Sequence, residues 1–256
     1  MPNKPSLYEM LSKAEEPWIH IPDEESLKDW KHENAVAYNQ MNRQMEKQKF
    51  YVKIFDFLKE NRIDGDYHEF GVHRARTFRM ALTEARRSNM DNMQFYAYDS
   101  FEGLPQTNSN PSQEQWSNKG ALATSEENFL TLVNQHGIYK DKIHTVKGFY
   151  SDSLTMELQN KIGATNRKLA LACIDCDLYE SAVDVFKYID PLLQDGSSIY
   201  IDDLFTGYRG LPTKGVARAF LEYQKYSKFH FVPHMQIGWW GRSYIACKEK
   251  PPEGVL

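Results

Sequence analysis

Two apolar runs in this chain end abruptly in acids. Leu169-Ala-Leu-Ala-Cys-Ile174 runs into Asp175 and Asp177, and Ser198-Ile-Tyr-Ile201 runs into Asp202 and Asp203. Short apolar runs bounded by charge read as buried strands. Side chains alternate along a strand, so Asp175 and Asp177 share a face if the first strand persists to its end. Four carboxylates brought together without a counter-charge repel and raise one another's pKa. A hard divalent cation with oxygen ligands resolves that conflict. The two pairs together therefore predict a metal or catalytic site rather than helix caps or solvated acids.

Two further acids stand at comparable places. Asp66-Tyr-His-Glu-Phe-Gly71 reads as a strand entering a glycine turn, with Glu69 just before the turn. The segment lacks the full G-x-G-x-x-G that seats a pyrophosphate and the lysine of a P-loop. Gly71 still lets a ligand approach the backbone closely. Glu69 beside it repels phosphate and suits an ammonium or sulfonium group. Met93-Gln-Phe-Tyr-Ala-Tyr-Asp99 is a strand ending in an acid placed for ribose hydroxyls. An acid, a glycine and a ribose-binding acid suit S-adenosylmethionine better than NAD.

The elements that must position these acids alternate in type. Helices are expected over Arg76–Arg87, after a Ser125 cap, over about Glu180–Leu193 and over Lys214–Ser227. Lys142–Gly148 reads as another short strand ending in glycine, and 229–247 as two strands around Gly238. Such alternation implies a mostly parallel sheet covered on both faces. Ligands of such sheets bind beyond the carboxyl ends of the strands, near the topological switch point. Glu69/Gly71, Asp99, Gly148, Asp175/Asp177 and Asp202/Asp203 all fall on that one rim. Residues 1–60 form a helical N-terminal extension ahead of a catalytic domain at 61–256. Within it Phe50, Ile54, Phe57 and Leu58 recur at helical spacing and are expected to pack on the main domain. Trp18, Trp30, Tyr38 and Met41 are left to cover a pocket or to meet a second copy. The 101–125 stretch is a long polar loop carrying Trp116, and loops of that length are usually functional or disordered.

Composition narrows the class. The chain has 256 residues, 41% hydrophobic and 26% charged, with a net charge of −4 and no basic block. That suits a soluble globular protein, disfavours nucleic-acid binding and offers no stretch long enough for a membrane span. The N-terminus lacks the pattern of a secretory signal. Three cysteines without framework spacing argue for the reducing cytoplasm. Cys173 and Cys176 form a C-x-x-C on a strand, not at a helix start, so redox or zinc chemistry is not expected there.

Glu69-Phe-Gly-Val72, Tyr98-Asp-Ser-Phe-Glu-Gly-Leu-Pro105, Lys147-Gly-Phe149, Ile174-Asp-Cys-Asp-Leu-Tyr-Glu-Ser181 and Ile201-Asp-Asp203 stand in order along the chain. Over about Asp66–Lys248 this resembles the macrocin O-methyltransferase family, which includes mycinamicin and novobiocin sugar O-methyltransferases. The resemblance implies a class I methyltransferase (Rossmann-like) α/β fold, S-adenosyl-L-methionine, Mg2+ and a sugar hydroxyl as acceptor. By position it implies metal ligands at Asp175, Asp202 and Asp203. Asp202 and Asp203 are adjacent, so they converge only if the strand ends there and the chain turns. It implies cofactor contacts at Glu69, Gly71, Asp99, Ser100 and Gly148, with Asp99 on the ribose. Asp177 either holds the methionine ammonium or, like Asp175, is a catalytic carboxylate. Family members often carry glycine where this chain has Ala75. The expected function is O-methylation of a glycoside, natural product or polysaccharide by a homo-oligomer taking a small-molecule or glycan acceptor. The alternatives are a metal-dependent O-methyltransferase of catechol-type phenols and a non-catalytic cofactor-binding assembly protein.

Overall fold

The computed structural model describes residues 22, 24–106, 119–164 and 167–252. Trp18 and Trp116 lie outside the described residues. The chain divides into two compact units, Met1–Arg43 and Gln44–Leu256. In the first, a short helix α1 (Glu24–Lys28) precedes the start of α2 (His32–Glu60). There Trp30 meets Tyr38 edge-on at 5.8 Å, and Met41 is exposed.

The second unit is built on a seven-stranded sheet. Its strands are β1 (Asp66–Phe70), β2 (Phe95–Asp99), β3 (Ile143–Lys147), β4 (Leu169–Ile174), β5 (Ser198–Ile201), β6 (His230–Ile237) and β7 (Gly241–Cys247). The spatial order is β3-β2-β1-β4-β5-β7-β6. Neighbours from β3 to β5 pair in parallel, while β7 runs antiparallel to both β5 and β6. The order reverses between β1 and β4, so the crevice of the sheet opens beyond Phe70 and Ile174.

Side chains leave the sheet alternately and feed two cores. Tyr67 enters one with Phe78, Phe95 and Phe129, and Phe70 enters the other with Tyr98, Phe186 and Phe220. The helices present matching stripes. In α3 (Arg76–Arg87) Phe78, Ala81, Leu82 and Ala85 are buried, and in α7 (Tyr179–Ile189) Ala182, Val185, Phe186 and Ile189. The later half of α2 is the expected stripe, with Phe50, Ile54 and Leu58 buried and Phe57 packed against the same core. Tyr51 and Phe55 extend that stripe, and so does Lys47.

Local chemistry sets the element ends. The Ser125 side chain accepts from Asn128 N at 3.2 Å, opening α4 (Glu126–His136), and Gly137 closes it at φ 81°. Ala75, at φ 54°, takes the left-handed conformation just ahead of α3, which is the backbone reason that glycine suits this position. Two helices escape the sequence pattern: α5 (Tyr150–Ser153) and α6 (Met156–Gly163). They are a single turn and about two turns long, too short for periodicity to declare them. The helix expected over 180–193 ends at Ile189 and continues as a 3-10 turn, and α8 (Gly215–Tyr223) is shorter than the pattern suggested.

Candidate active site

Strand β4 stops at Ile174, so Asp175 and Asp177 do not share a strand face. Instead the chain turns, with Asp177 at φ 58° just before α7. Strand β5 likewise stops at Ile201 and a turn begins at Asp202. Both breaks occur at the carboxyl ends of neighbouring parallel strands, and they bring three carboxylates together. One oxygen from each of Asp175, Asp202 and Asp203 lies within 4.8 Å of the others. The turn after β5 is what allows the adjacent Asp202 and Asp203 to converge.

Asp202 is held from three sides. Tyr200 Oη and Trp240 Nε1 donate to its Oδ1, the latter at 3.0 Å, and Lys47 Nζ donates to its Oδ2 at 2.9 Å. The same ammonium reaches Asp175 Oδ2 at 3.0 Å. The turn between β6 and β7 packs tightly here. A Cβ on Gly241 would stand 2.9 Å from Asp202 O, and Phe205 N donates to Trp240 O at 2.9 Å. Asp202 and Asp203 are buried, and the Asp175 side chain keeps 24% of its surface exposed. Burial, with Asp202 close by, pushes the Asp175 carboxyl up to about 8 against the pull of Lys47. Burial alone would lower the Lys47 ammonium, but Asp175 and Asp202 outweigh it and the net shift is upward.

The crevice between β1 and β4 is equally close-packed. Gly71, at φ 89°, lies so near the chain after β4 that a Cβ would fall 1.9 Å from Asp175 O. Asp99 Oδ2 accepts Val72 N at 2.9 Å and His73 N at 3.3 Å, and its Oδ1 accepts Phe101 N at 2.8 Å. Asp99 thus ties the turns after β1 and β2 together, and a carboxylate with about four acceptor sites retains capacity for a ligand. Gly148 N donates to Asp99 O at 3.0 Å, so the turn after β3 joins the same rim. Ser100 closes its own turn, donating to Gly103 O at 2.7 Å and accepting Glu102 N at 3.0 Å.

Glu69 sits beneath this rim rather than on it. It is fully buried, accepts Thr77 Oγ1 at 2.6 Å, and takes a second bond from Tyr67 Oη, which in turn contacts Tyr51 Oη at 2.8 Å. Burial pushes its carboxyl up to about 8, with the Thr77 and Tyr67 hydrogen bonds opposing.

The histidines divide. His73 belongs to the rim, where its Nδ1 lies 2.8 Å from Leu122 O and 3.1 Å from Thr124 Oγ1. It anchors the far end of the long loop. The stems of that loop are laced to each other by Leu104 N to Ala121 O and Gly120 N to Leu104 O, both 2.9 Å. His144 lies toward the opposite end of β3 and bonds Gln94 Oε1 at 2.9 Å. His234 packs against Phe57, with ring centroids 4.7 Å apart and the planes tilted by 51°. Cys173 and Cys176 are free buried thiols whose pKa values burial raises, the reverse of a reactive pair.

Reading the sequence by strand ends found the acids but missed Lys47, Tyr200 and Trp240. Lys47 carried a signal. It stands in helical register with Phe50, Ile54 and Leu58, a charge on an otherwise buried stripe.

A sheet of this order, with its switch-point crevice flanked by Gly71 and Asp99, defines the class I S-adenosylmethionine-dependent methyltransferase fold. Residues 22–244 match the family described as macrocin-O-methyltransferase (TylF). The chain belongs to that family.

One relative is the 8-demethyl-8-(2,3-dimethoxy-alpha-L-rhamnosyl)-tetracenomycin-C 4'-O-methyltransferase of Streptomyces olivaceus. It is 27% identical over 146 residues, which cover 55% of this chain and 53% of that enzyme, about half of its length. Among solved structures, the O-methyltransferase NovP superposes with a TM-score of 0.63 at 19% identity, over 78% of this chain and 79% of that one. The calicheamicin methyltransferase CalS11 gives 0.62 at 17% identity, over 88% and 86%. Both show the shared fold.

Proposed function

We propose that this protein is an S-adenosylmethionine- and magnesium-dependent O-methyltransferase acting on a sugar hydroxyl of a glycoside, natural product or polysaccharide. The convergence of Asp175, Asp202 and Asp203 carries this reading. An all-oxygen, anionic donor set fits a hard divalent cation. Membership of the macrocin-O-methyltransferase family supports methyl transfer as the reaction. The rhamnosyl group in the Streptomyces olivaceus enzyme's name supports a sugar as the acceptor.

Asp175, Asp202 and Asp203 would hold the cation, with Tyr200, Trp240 and Lys47 fixing the geometry of Asp202. When bound, the cation supplies positive charge that orients neighbouring hydroxyls and makes one of them more acidic. Asp99 would hold the ribose hydroxyls of S-adenosylmethionine, with the turns at Gly71 and Gly148 forming the rim on either side of it. Glu69, buried below and holding its proton up to about 8, would brace the cofactor end of the rim through Tyr67 and Thr77 rather than present a charge to it. Asp177, two residues beyond Asp175 on a half-buried turn, would accept the hydroxyl proton. S-adenosylmethionine, when bound, would supply the methyl group to the sugar oxygen and leave as the neutral thioether, keeping the carbon–sulfur electron pair.

The test is metal removal. Chelation with EDTA is expected to abolish methyl transfer and added magnesium to restore it. Asp175→Ala is expected to lower kcat by about 10²-fold or more. Full activity in chelator would contradict the reading.

A further inference from the structure

Lys47 stands where chain chemistry gives it no routine reason to stand. Lysine is rarely buried unless paired, yet the Lys47 side chain is only 7% exposed and its ammonium bridges Asp175 and Asp202 at 3.0 and 2.9 Å. Both partners belong to the converging carboxylate trio, which with every carboxyl ionised carries, together with Lys47, a formal charge of −2 (three carboxylates, one ammonium). One divalent cation neutralises that charge. Without Lys47 the ionised trio would hold −3.

We infer that Lys47 is a resident counter-cation of the acid cluster, holding Asp175 beside Asp202 before a divalent ion arrives and setting how tightly that ion is bound. The inference rests on the reading of the cluster as a cation site. Two effects of the ammonium oppose each other. It preorganises the carboxylates, which favours the incoming ion, and it repels that ion. Repulsion wins, because Asp202 is also held by Tyr200 and Trp240 and keeps its place without Lys47. A unit charge beside a divalent ion in a partly buried site is a large term. Lys47 is therefore a positioning and tuning residue. It restrains the affinity of the site and keeps the acids tolerable while no ion is bound.

The experiment is calorimetric titration of the full chain with magnesium alone, without cofactor or acceptor, for wild type, Lys47→Met and Lys47→Arg. Thermal melting in EDTA and in magnesium accompanies it. Lys47→Met is expected to bind magnesium at least about tenfold more tightly than wild type. It is also expected to melt lower in EDTA and to gain more from magnesium. Lys47→Arg keeps the charge and is expected to stay within about threefold of wild type. Equal or weaker binding by Lys47→Met, with wild-type binding intact, overturns the role of Lys47 alone. No binding by any of the three chains overturns the cation site as well. If Lys47→Met does not fold in EDTA, recovery of its native melt by magnesium supports the inference, because the ion then replaces the ammonium. Failure to recover in magnesium overturns it.

Discussion

At the scale of single residues, two carboxylates of the rim region differ in what surrounds them, and the difference is measurable. Glu69 lies in a fully buried chain of hydroxyls, Tyr51, Tyr67 and Thr77, and holds its proton up to about 8 instead of its ordinary 4.5. The folded state therefore binds more protons than the unfolded state between those values. The resulting stability is complete below about 4.5 and is lost as pH rises through about 8. Glu69→Gln keeps the shape and removes the proton. Its stability relative to wild type, from urea unfolding, is expected to rise steadily between about pH 5 and pH 8. Parallel curves for the two proteins would show that Glu69 does not titrate in this window. Asp99 accepts backbone amides from the turns after two strands. Asp99→Ala is expected to weaken S-adenosylmethionine binding by about tenfold or more, since hydrogen bonds to a charged group are the strong ones. The chemical step in the saturated enzyme should change far less, because a ribose contact is similar in ground and transition states. An unchanged cofactor Kd in calorimetry would remove Asp99 from the ribose.

At the scale of elements, the site depends on strands that stop on time and on turns that pass very close to each other. Gly71 is the narrowest point. Its positive φ and the 1.9 Å approach of a hypothetical Cβ to Asp175 O leave no room for a side chain. Gly71→Ala is expected to destabilise the fold by at least about 2 kcal/mol, since strain and steric displacement add. A change under half that in chemical denaturation would mean that the crevice yields. The strands and their acidic ends were legible because apolar runs and bounding acids are local features of the sequence. The cap at Ser125, the stripe of α3 and the hairpin around Gly238 were legible for the same reason. Other features depend on partners distant in the chain. Lys47 meets Asp175 and Asp202 across most of the domain's length, and Trp240 meets Asp202 only because β7 pairs with β5. Glu69 was readable as a strand-end acid, but its burial under Tyr67 and Thr77 was not. One strand places Tyr67 on its face, whereas Thr77 arrives from the next helix.

At the scale of the whole molecule, the sheet brings the turns after β1, β2 and β3 to one edge and the carboxylate trio to the same edge across the crevice. The proposed cofactor half of the site and the proposed cation half thus share a rim, as methyl transfer to an oriented hydroxyl requires. Among the described residues no helix is long and apolar enough to cross a membrane. What distinguishes this account from its rivals is the acceptor, a sugar with neighbouring hydroxyls rather than a flat phenol or no substrate at all. The most direct measurement is transfer of labelled methyl from S-adenosylmethionine to a panel of glycosides and catechols, in magnesium and again in EDTA. The account predicts magnesium-dependent methylation of at least one glycoside at a ring hydroxyl, with catechols turned over poorly. Robust turnover of catechols with no glycoside methylated would contradict it.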